Sequence, residues 1–64
     1  MLNQIKSVLE DNILKVLELE SDLGIICQNQ YQLLLSTDST FQDFVALNKD
    51  VSFIIELYQL EKGV

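Results

Sequence analysis

Hydrophobic residues in the first half of the chain recur at spacings of three and four. Two interleaved series, starting at Leu2 and Ile5, fill the first and fourth positions of a heptad repeat. Such spacing places apolar side chains on one stripe of a helix that packs along a single seam. The pattern therefore predicts a helix over about residues 2–35. The seam comprises Leu2, Ile5, Leu9, Asn12, Val16, Leu19, Leu23, Ile26, Gln30 and Leu33.

Three residues of this predicted helix leave alternatives open. Asn12 and Gln30 interrupt the apolar seam, and a buried polar residue there fixes register or partner number, whereas an exposed one has no such role. Gly24 marks a bend, a close approach of another helix, or simply a tolerated glycine. The sequence does not decide whether the first helix is continuous or bent at Gly24.

A run of small polar residues, 36–40, separates the first helix from a second periodic segment. Ser39 and Gln42 fit a capping box, in which side chains satisfy the free N–H groups at a helix start. The turn at 36–40 is therefore followed by a second predicted helix over about residues 40–61. Its apolar seam comprises Phe44, Leu47, Val51, Ile54 and Tyr58.

A single seam leaves much of the apolar surface uncovered. A second apolar stripe runs beside the seam on each helix, and the longer first helix extends past the end of the second by about a dozen residues. We therefore predict an all-α fold: one domain, an antiparallel, coiled-coil-like two-helix hairpin that a partner or a second copy completes. The predicted protein interface comprises Leu2, Ile5, Leu9, Ile13, Leu17, Cys27, Tyr31, Phe53, Leu57 and Leu60.

Composition narrows the function classes. Of 64 residues, 48% are hydrophobic, with ten carboxylates, four lysines, one cysteine and no histidine, and the net charge is −6. Without histidine, the zinc sites and catalytic triads built on it cannot form, so we expect neither an enzyme nor a cofactor. Cys27 lies in the apolar stripe, where a small hydrophobic role is expected.

The same composition bears on partners and location. An acidic chain is unsuited to phosphate backbones, so no nucleic-acid partner is expected. No apolar run approaches the roughly 20 residues that span a membrane, so membrane insertion is not expected either. A single cysteine cannot form an internal disulfide, which favours a reducing compartment. Protein binding is the function class that remains.

The second helix also carries a resemblance to a known family. Phe41-Gln42 opens it, Phe44 follows one turn later, and Phe53-Ile54-Ile55-Glu56-Leu57-Tyr58 lies near its end. With its short length, acidic composition and predicted helix–turn–helix order, the chain resembles the small type III secretion co-chaperones of the YscE/PscE/EscE kind. These proteins also open a helix with an aromatic–Gln pair and close it with an Ile-rich run ending in Tyr.

This resemblance implies a bacterial cytoplasmic protein that binds a larger helical-repeat chaperone. Together, the two would keep the needle subunit of the virulence apparatus soluble. Two alternatives stay open. One is a homodimeric helical bundle with a structural or regulatory role, in which two hairpins cover each other. The other is a regulator that sequesters its target by inserting a helix into it.

Overall fold

The chain folds into three helices in a computed structural model that describes residues 1–63, with side chains described through Glu61. The helices are α1 (Leu2–Leu19), α2 (Ser21–Leu35) and α3 (Phe41–Gly63). Residues 1–63 contain no strand, so the predicted all-α class is confirmed. The two-helix hairpin is not confirmed, because the predicted first helix is divided into α1 and α2.

The division occurs at Glu20, whose backbone is extended (φ −151°, ψ 102°). The N–H of Glu20 donates to the carbonyl of Val16 at 2.7 Å and closes α1, and its carbonyl accepts from the N–H of Gly24 at 2.9 Å and opens α2. The chain reverses here, since the Tyr31 hydroxyl lies 2.6 Å from a carboxylate oxygen of Glu10. In one straight helix these residues would be about 31 Å apart. The turning point is Glu20, not Gly24.

The third helix runs parallel to α1. Asn12 Nδ2 donates to Asn48 Oδ1 at 2.8 Å, and the Tyr58 hydroxyl donates to Glu20 Oε2 at 3.3 Å. Later residues of α1 thus pair with later residues of α3, so the two helices run in the same direction. The order is therefore up–down–up. Helix α1 packs against both neighbours, whereas α2 and α3 make fewer contacts with each other.

The core is shared by all three helices. Leu9, Val16, Phe44 and Val51 are the largest fully buried side chains. The Tyr31 ring meets the Phe44 ring edge-on, with centroids 6.2 Å apart, and so joins α2 to α3. The full set of buried residues is Leu9, Ile13, Val16, Cys27, Tyr31, Phe44, Leu47, Val51 and Ile55.

The predicted overhang of the first dozen residues is wrong. Helix α3 lies beside α1 from its first turns, with the Lys6 ammonium 5.5 Å from the Phe44 ring centroid. Leu9 is consequently fully buried and Ile5 packs against the core. The overhang was expected because a continuous first helix would outrun α3, and the reversal at Glu20 removes that excess length.

Residues 36–40 connect α2 to α3 and carry the cap of α3. The Thr40 N–H donates to Asp43 Oδ2 at 2.8 Å, and the Asp43 N–H donates back to Thr40 Oγ1 at 3.4 Å. This reciprocal pair satisfies free N–H groups at the helix start. The cap therefore uses Thr40 and Asp43, one residue later than the predicted pair Ser39 and Gln42.

Candidate protein-interaction surface

The fold leaves many large apolar side chains in water. The accessible surface is 4576 Å², compared with about 4,200 Å² expected for a compact globule of this mass. A three-helix bundle this small has too little interior for a chain so rich in hydrophobic residues. The exposed large apolar residues are Met1, Leu2, Val8, Leu14, Ile25, Ile26, Leu33, Leu35, Phe53, Leu57 and Leu60.

The ten residues predicted to contact a partner fall into three groups. Leu9, Ile13, Cys27 and Tyr31 are buried in the chain's own core, because the reversal at Glu20 folds their stripe inward. Two more are half-buried and pack against that core. Four lie exposed on the surface. The half-buried pair is Ile5 and Leu17, and the exposed set is Leu2, Phe53, Leu57 and Leu60.

The clearest apolar row lies on α3. Phe53, Leu57 and Leu60 are spaced four and three apart, which places them on one face of the helix. They are 59%, 46% and 66% exposed. This row lies on the side of α3 away from its buried residues Val51 and Ile55, so the described helices leave it open to solvent. It is available for contact with another protein.

A groove of about 420 Å³ lies between α2 and α3. It exists because both helices pack mainly against α1 rather than against each other. Leucine and alanine side chains supply its apolar surface, and two carboxylates supply its charge. The lining residues are Gln30, Leu33 and Leu34 from α2, and Asp43, Ala46, Leu47 and Asp50 from α3.

Exposed apolar residues continue this groove toward the end of the bundle at Glu20. Ile26 precedes Gln30 by four residues, and Phe53 and Leu57 follow Asp50 by three and seven, so each shares a face with a lining residue. All three are exposed. The groove and the α3 row therefore form one continuous apolar surface, which we call the α2–α3 surface.

Sequence reasoning missed the α2 side of this surface. Ile26 and Leu33 belong to the predicted seam, yet they are 53% and 64% exposed. Helix α2 instead buries the second stripe, Gly24, Cys27 and Tyr31. The sequence carries one signal for this outcome: the second stripe is apolar along its length, as the seam is. Either stripe could therefore have faced the core.

The lining of the groove is negatively charged, whereas Lys49 lies at the edge of the α3 row, three residues after Ala46 and four before Phe53. Asp43 and Asp50 line the groove, and Asp22 lies four residues before Ile26 on the same face of α2. None of the seven lining residues is a lysine. Burial, together with the negative charge of Asp50, raises the pKa of the Cys27 thiol. Cys27 therefore stays protonated at neutral pH, as a structural cysteine does.

A second, smaller groove of about 310 Å³ lies between α1 and α2. Its apolar wall comprises Ile13, Leu14, Leu17 and Leu35, and polar side chains supply the rest. Glu10 on this wall accepts the Tyr31 hydrogen bond, which links α1 to α2 across the groove. The polar lining residues are Glu10, Gln28, Tyr31 and Gln32.

Among residues 1–63, no three His, Cys, Asp or Glu side chains are grouped in a way that could hold a metal ion. No helix in the described part of the chain combines the length and apolarity needed to cross a membrane.

No family model, curated protein or solved structure matches this chain. The α2–α3 surface and the resemblance carried by the sequence of α3 are therefore the features that bear on function.

Proposed function

We propose that this chain is a non-enzymatic protein-binding module that acts as a co-chaperone in type III secretion. The observation that carries the proposal is the exposed row Phe53, Leu57 and Leu60 on α3. Contiguous apolar side chains of this size on a small domain mark a site of protein contact. An acidic surface around them favours solubility while the row is free.

The co-chaperone role is supported by where the resemblance falls. The block Phe53–Tyr58 carries much of the likeness to the YscE/PscE/EscE kind, and two of its residues, Phe53 and Leu57, belong to the exposed row. In this role the chain binds a larger helical-repeat chaperone in the bacterial cytoplasm. The pair of proteins then keeps the needle subunit soluble until it is secreted.

The mechanism is mutual covering of apolar surface. Each side chain of the row is about half-exposed, so burying it against a partner contributes about 1 kcal/mol. The three together contribute about 3 kcal/mol, which corresponds to roughly 100-fold in affinity. Binding thereby removes from water the surface that would otherwise promote aggregation of either protein.

Co-expression tests the proposal. This chain is produced together with the needle subunit and the helical-repeat chaperone of the same bacterium, and complexes are measured by size exclusion with light scattering. We expect one ternary complex and a soluble needle subunit. The triple variant Phe53→Ser/Leu57→Ser/Leu60→Ser should lower affinity by on the order of 100-fold.

A matched control removes equally exposed apolar side chains elsewhere. Val8→Ser/Leu14→Ser/Ile25→Ser also changes three exposed apolar residues, but none of them belongs to the α3 row, and it should leave the affinity nearly unchanged. Circular dichroism should show that both triple variants remain helical. A stable homodimer that forms no ternary complex would overturn the co-chaperone role and favour the homodimeric bundle instead.

A further inference from the structure

We infer that the groove between α2 and α3 is the docking site for a basic amphipathic helix of a partner protein. This inference rests on the proposed protein-binding function. It adds which surface receives the partner and what chemistry the partner presents. The occupant is one helix with an apolar stripe flanked by Lys or Arg.

The packing of the three helices defines the shape of this site. Helix α1 contacts both α2 and α3, while those two helices diverge enough to leave a groove of about 420 Å³. A helix laid in that groove, on the side away from α1, completes a four-helix bundle with α1 diagonal to it. Leu34 and Leu47 form the floor, and Leu33 and Ala46 form the walls.

The length of the site sets the length of its occupant. On α3 the groove and the residues that extend it, up to Leu57, run from Asp43, which at 1.5 Å per residue is about 21 Å. An α-helix of about 14 residues, four turns, covers that distance. Apolar residues spaced three and four apart would meet the floor, which is how helix-in-groove complexes are anchored.

Charge decides what flanks the apolar stripe of the occupant. Asp43 and Asp50 line the groove and Asp22 shares the face of α2 that borders it, whereas no lysine is among the lining residues. Asp43 also accepts hydrogen bonds from the N–H and the hydroxyl of Thr40, whereas the Asp50 carboxylate accepts none within the described residues. Opposite charges across an interface steer association and reject partners of like charge. Lysine or arginine beside the apolar stripe complements these carboxylates.

A second copy of this chain does not meet that requirement. Pairing two copies through the groove would bring Asp43 and Asp50 of one copy toward the same carboxylates of the other. The whole chain carries a net charge of −6, so two copies also repel each other overall. The four lysines are at most two to a helix, at positions 6, 15, 49 and 62. The occupant is therefore a different protein.

Designed peptides test the inference with this chain alone. The probe is an 18-residue helical peptide with Leu at heptad positions a and d and Lys at e and g. Its matched control carries Glu in place of every Lys. In NMR titrations of the labelled protein, we expect the Lys peptide to shift resonances of Leu33, Ala46 and Asp50 and to bind at least about 10-fold more tightly than the Glu peptide.

A variant that reverses a charge in the groove tests the role of charge more directly than the change of peptide. Asp50→Lys should weaken binding of the Lys peptide by about 10-fold or more and strengthen binding of the Glu peptide. Asp11→Lys makes the same change of net charge at an exposed site on α1, outside the groove lining, and should alter neither affinity by more than about 2-fold. Asp50→Asn should fall between the wild type and Asp50→Lys.

Several results would overturn the groove assignment. These are equal binding of the two peptides, equal effects of Asp50→Lys and Asp11→Lys, shifts confined to the α1–α2 groove, and self-association that covers the α2–α3 groove. If these occur while the Phe53/Leu57/Leu60 variant still loses the ternary complex, only the groove inference fails. If the groove binds the Lys peptide but no ternary complex forms, the co-chaperone role fails instead.

Discussion

The Tyr31 hydroxyl donates a hydrogen bond of 2.6 Å to the carboxylate of Glu10, which lies 21 residues earlier in the sequence. This bond joins two helices that run in opposite directions, and it fixes which turn of α2 lies opposite which turn of α1. The ring of Tyr31 also meets Phe44 of α3. The side chain of Tyr31, on α2, thus contacts both of the other helices.

This hydrogen bond should be visible in the ionisation of Tyr31. Burial and the Glu10 carboxylate raise the pKa of Tyr31 to about 12. In a Tyr58→Phe background, near-ultraviolet absorbance titration reports Tyr31 alone. Glu10→Gln should lower its pKa toward 10 without reaching it, because the negative charge is lost and the burial remains. A Tyr31 pKa that does not change in Glu10→Gln would contradict the assignment of this bond.

The same shift predicts how stability depends on alkaline pH. The folded pKa of Tyr31 lies above the unfolded value of 10.0, so the unfolded chain loses this proton first. The contribution of Tyr31 is fully present below pH 10 and is lost as the pH rises toward about 12. Urea unfolding measured across this range should show the decline, and Tyr31→Phe should remove that part of it.

Gly24→Ala should destabilise the protein, although alanine is the better helix former. A Cβ at Gly24 would lie 2.6 Å from Cα of Leu17, so α1 and α2 would have to separate. We expect a loss of about 1–3 kcal/mol in the free energy of unfolding, as in other overpacked interiors. At an ordinary helical site the same change stabilises by roughly 0.5–1 kcal/mol.

The control for Gly24→Ala is Asn29→Ala, an exposed change on the same helix. It should alter the free energy of unfolding by less than about 0.5 kcal/mol. Urea denaturation measures both variants. A stabilising Gly24→Ala would show that the two helices do not approach this closely.

The Asn12–Asn48 hydrogen bond should appear as a coupling between α1 and α3. Both side chains are half-buried, so Asn12→Leu leaves Asn48 without its partner and should cost about 1–2 kcal/mol. The double variant Asn12→Leu/Asn48→Leu should cost less than the sum of the two single changes, because no polar group is left unpaired. A double-mutant cycle by chemical denaturation measures this coupling. Strict additivity would indicate that the two side chains do not interact.

Spin labels can test the reversal at Glu20 directly. Ser7 on α1 and Gln32 on α2 are both exposed and accept labels in a Cys27→Ala background. The antiparallel packing predicts about 10–20 Å between labels, since neighbouring helix axes lie 8–10 Å apart. One continuous helix over residues 2–35 would separate these positions by about 38 Å. Pulsed electron paramagnetic resonance distinguishes the two distances clearly.

The helical class was predictable because apolar spacing of three and four persists along the chain. The predicted second helix, about 40–61, corresponds to α3, since the polar run at 36–40 and the cap that follows are local signals. The reversal at Glu20 has no such signal. Glutamate is a good helix former, and neither glycine nor proline stands at that position. Packing of α2 back onto α1, not local preference, ends α1 there.

The α2–α3 surface was only half predictable for the same reason. Phe53, Leu57 and Leu60 could be named because α3 buries the predicted seam through Phe44, Leu47 and Val51, although its last buried residue is Ile55 rather than Ile54. Helix α2 carries two apolar stripes, and either could be buried. Which of them is buried depends on the side of α2 against which α1 packs. Ile26 and Leu33 face outward because Gly24, Cys27 and Tyr31 were the better fit against α1. Such a choice depends on tertiary contact and is not visible in periodicity alone.

The up–down–up order also makes the two ends of the molecule electrically different. Each helix carries partial positive charge at its first turn and partial negative charge at its last. In an antiparallel pair these cancel, but α1 and α3 point the same way and α2 offsets only one of them. About half an elementary charge therefore remains uncompensated at each end, positive beside Leu2 and Phe41 and negative beside Glu20. An otherwise acidic bundle thus has a built-in polarity along its length, which a charged partner would experience on approach.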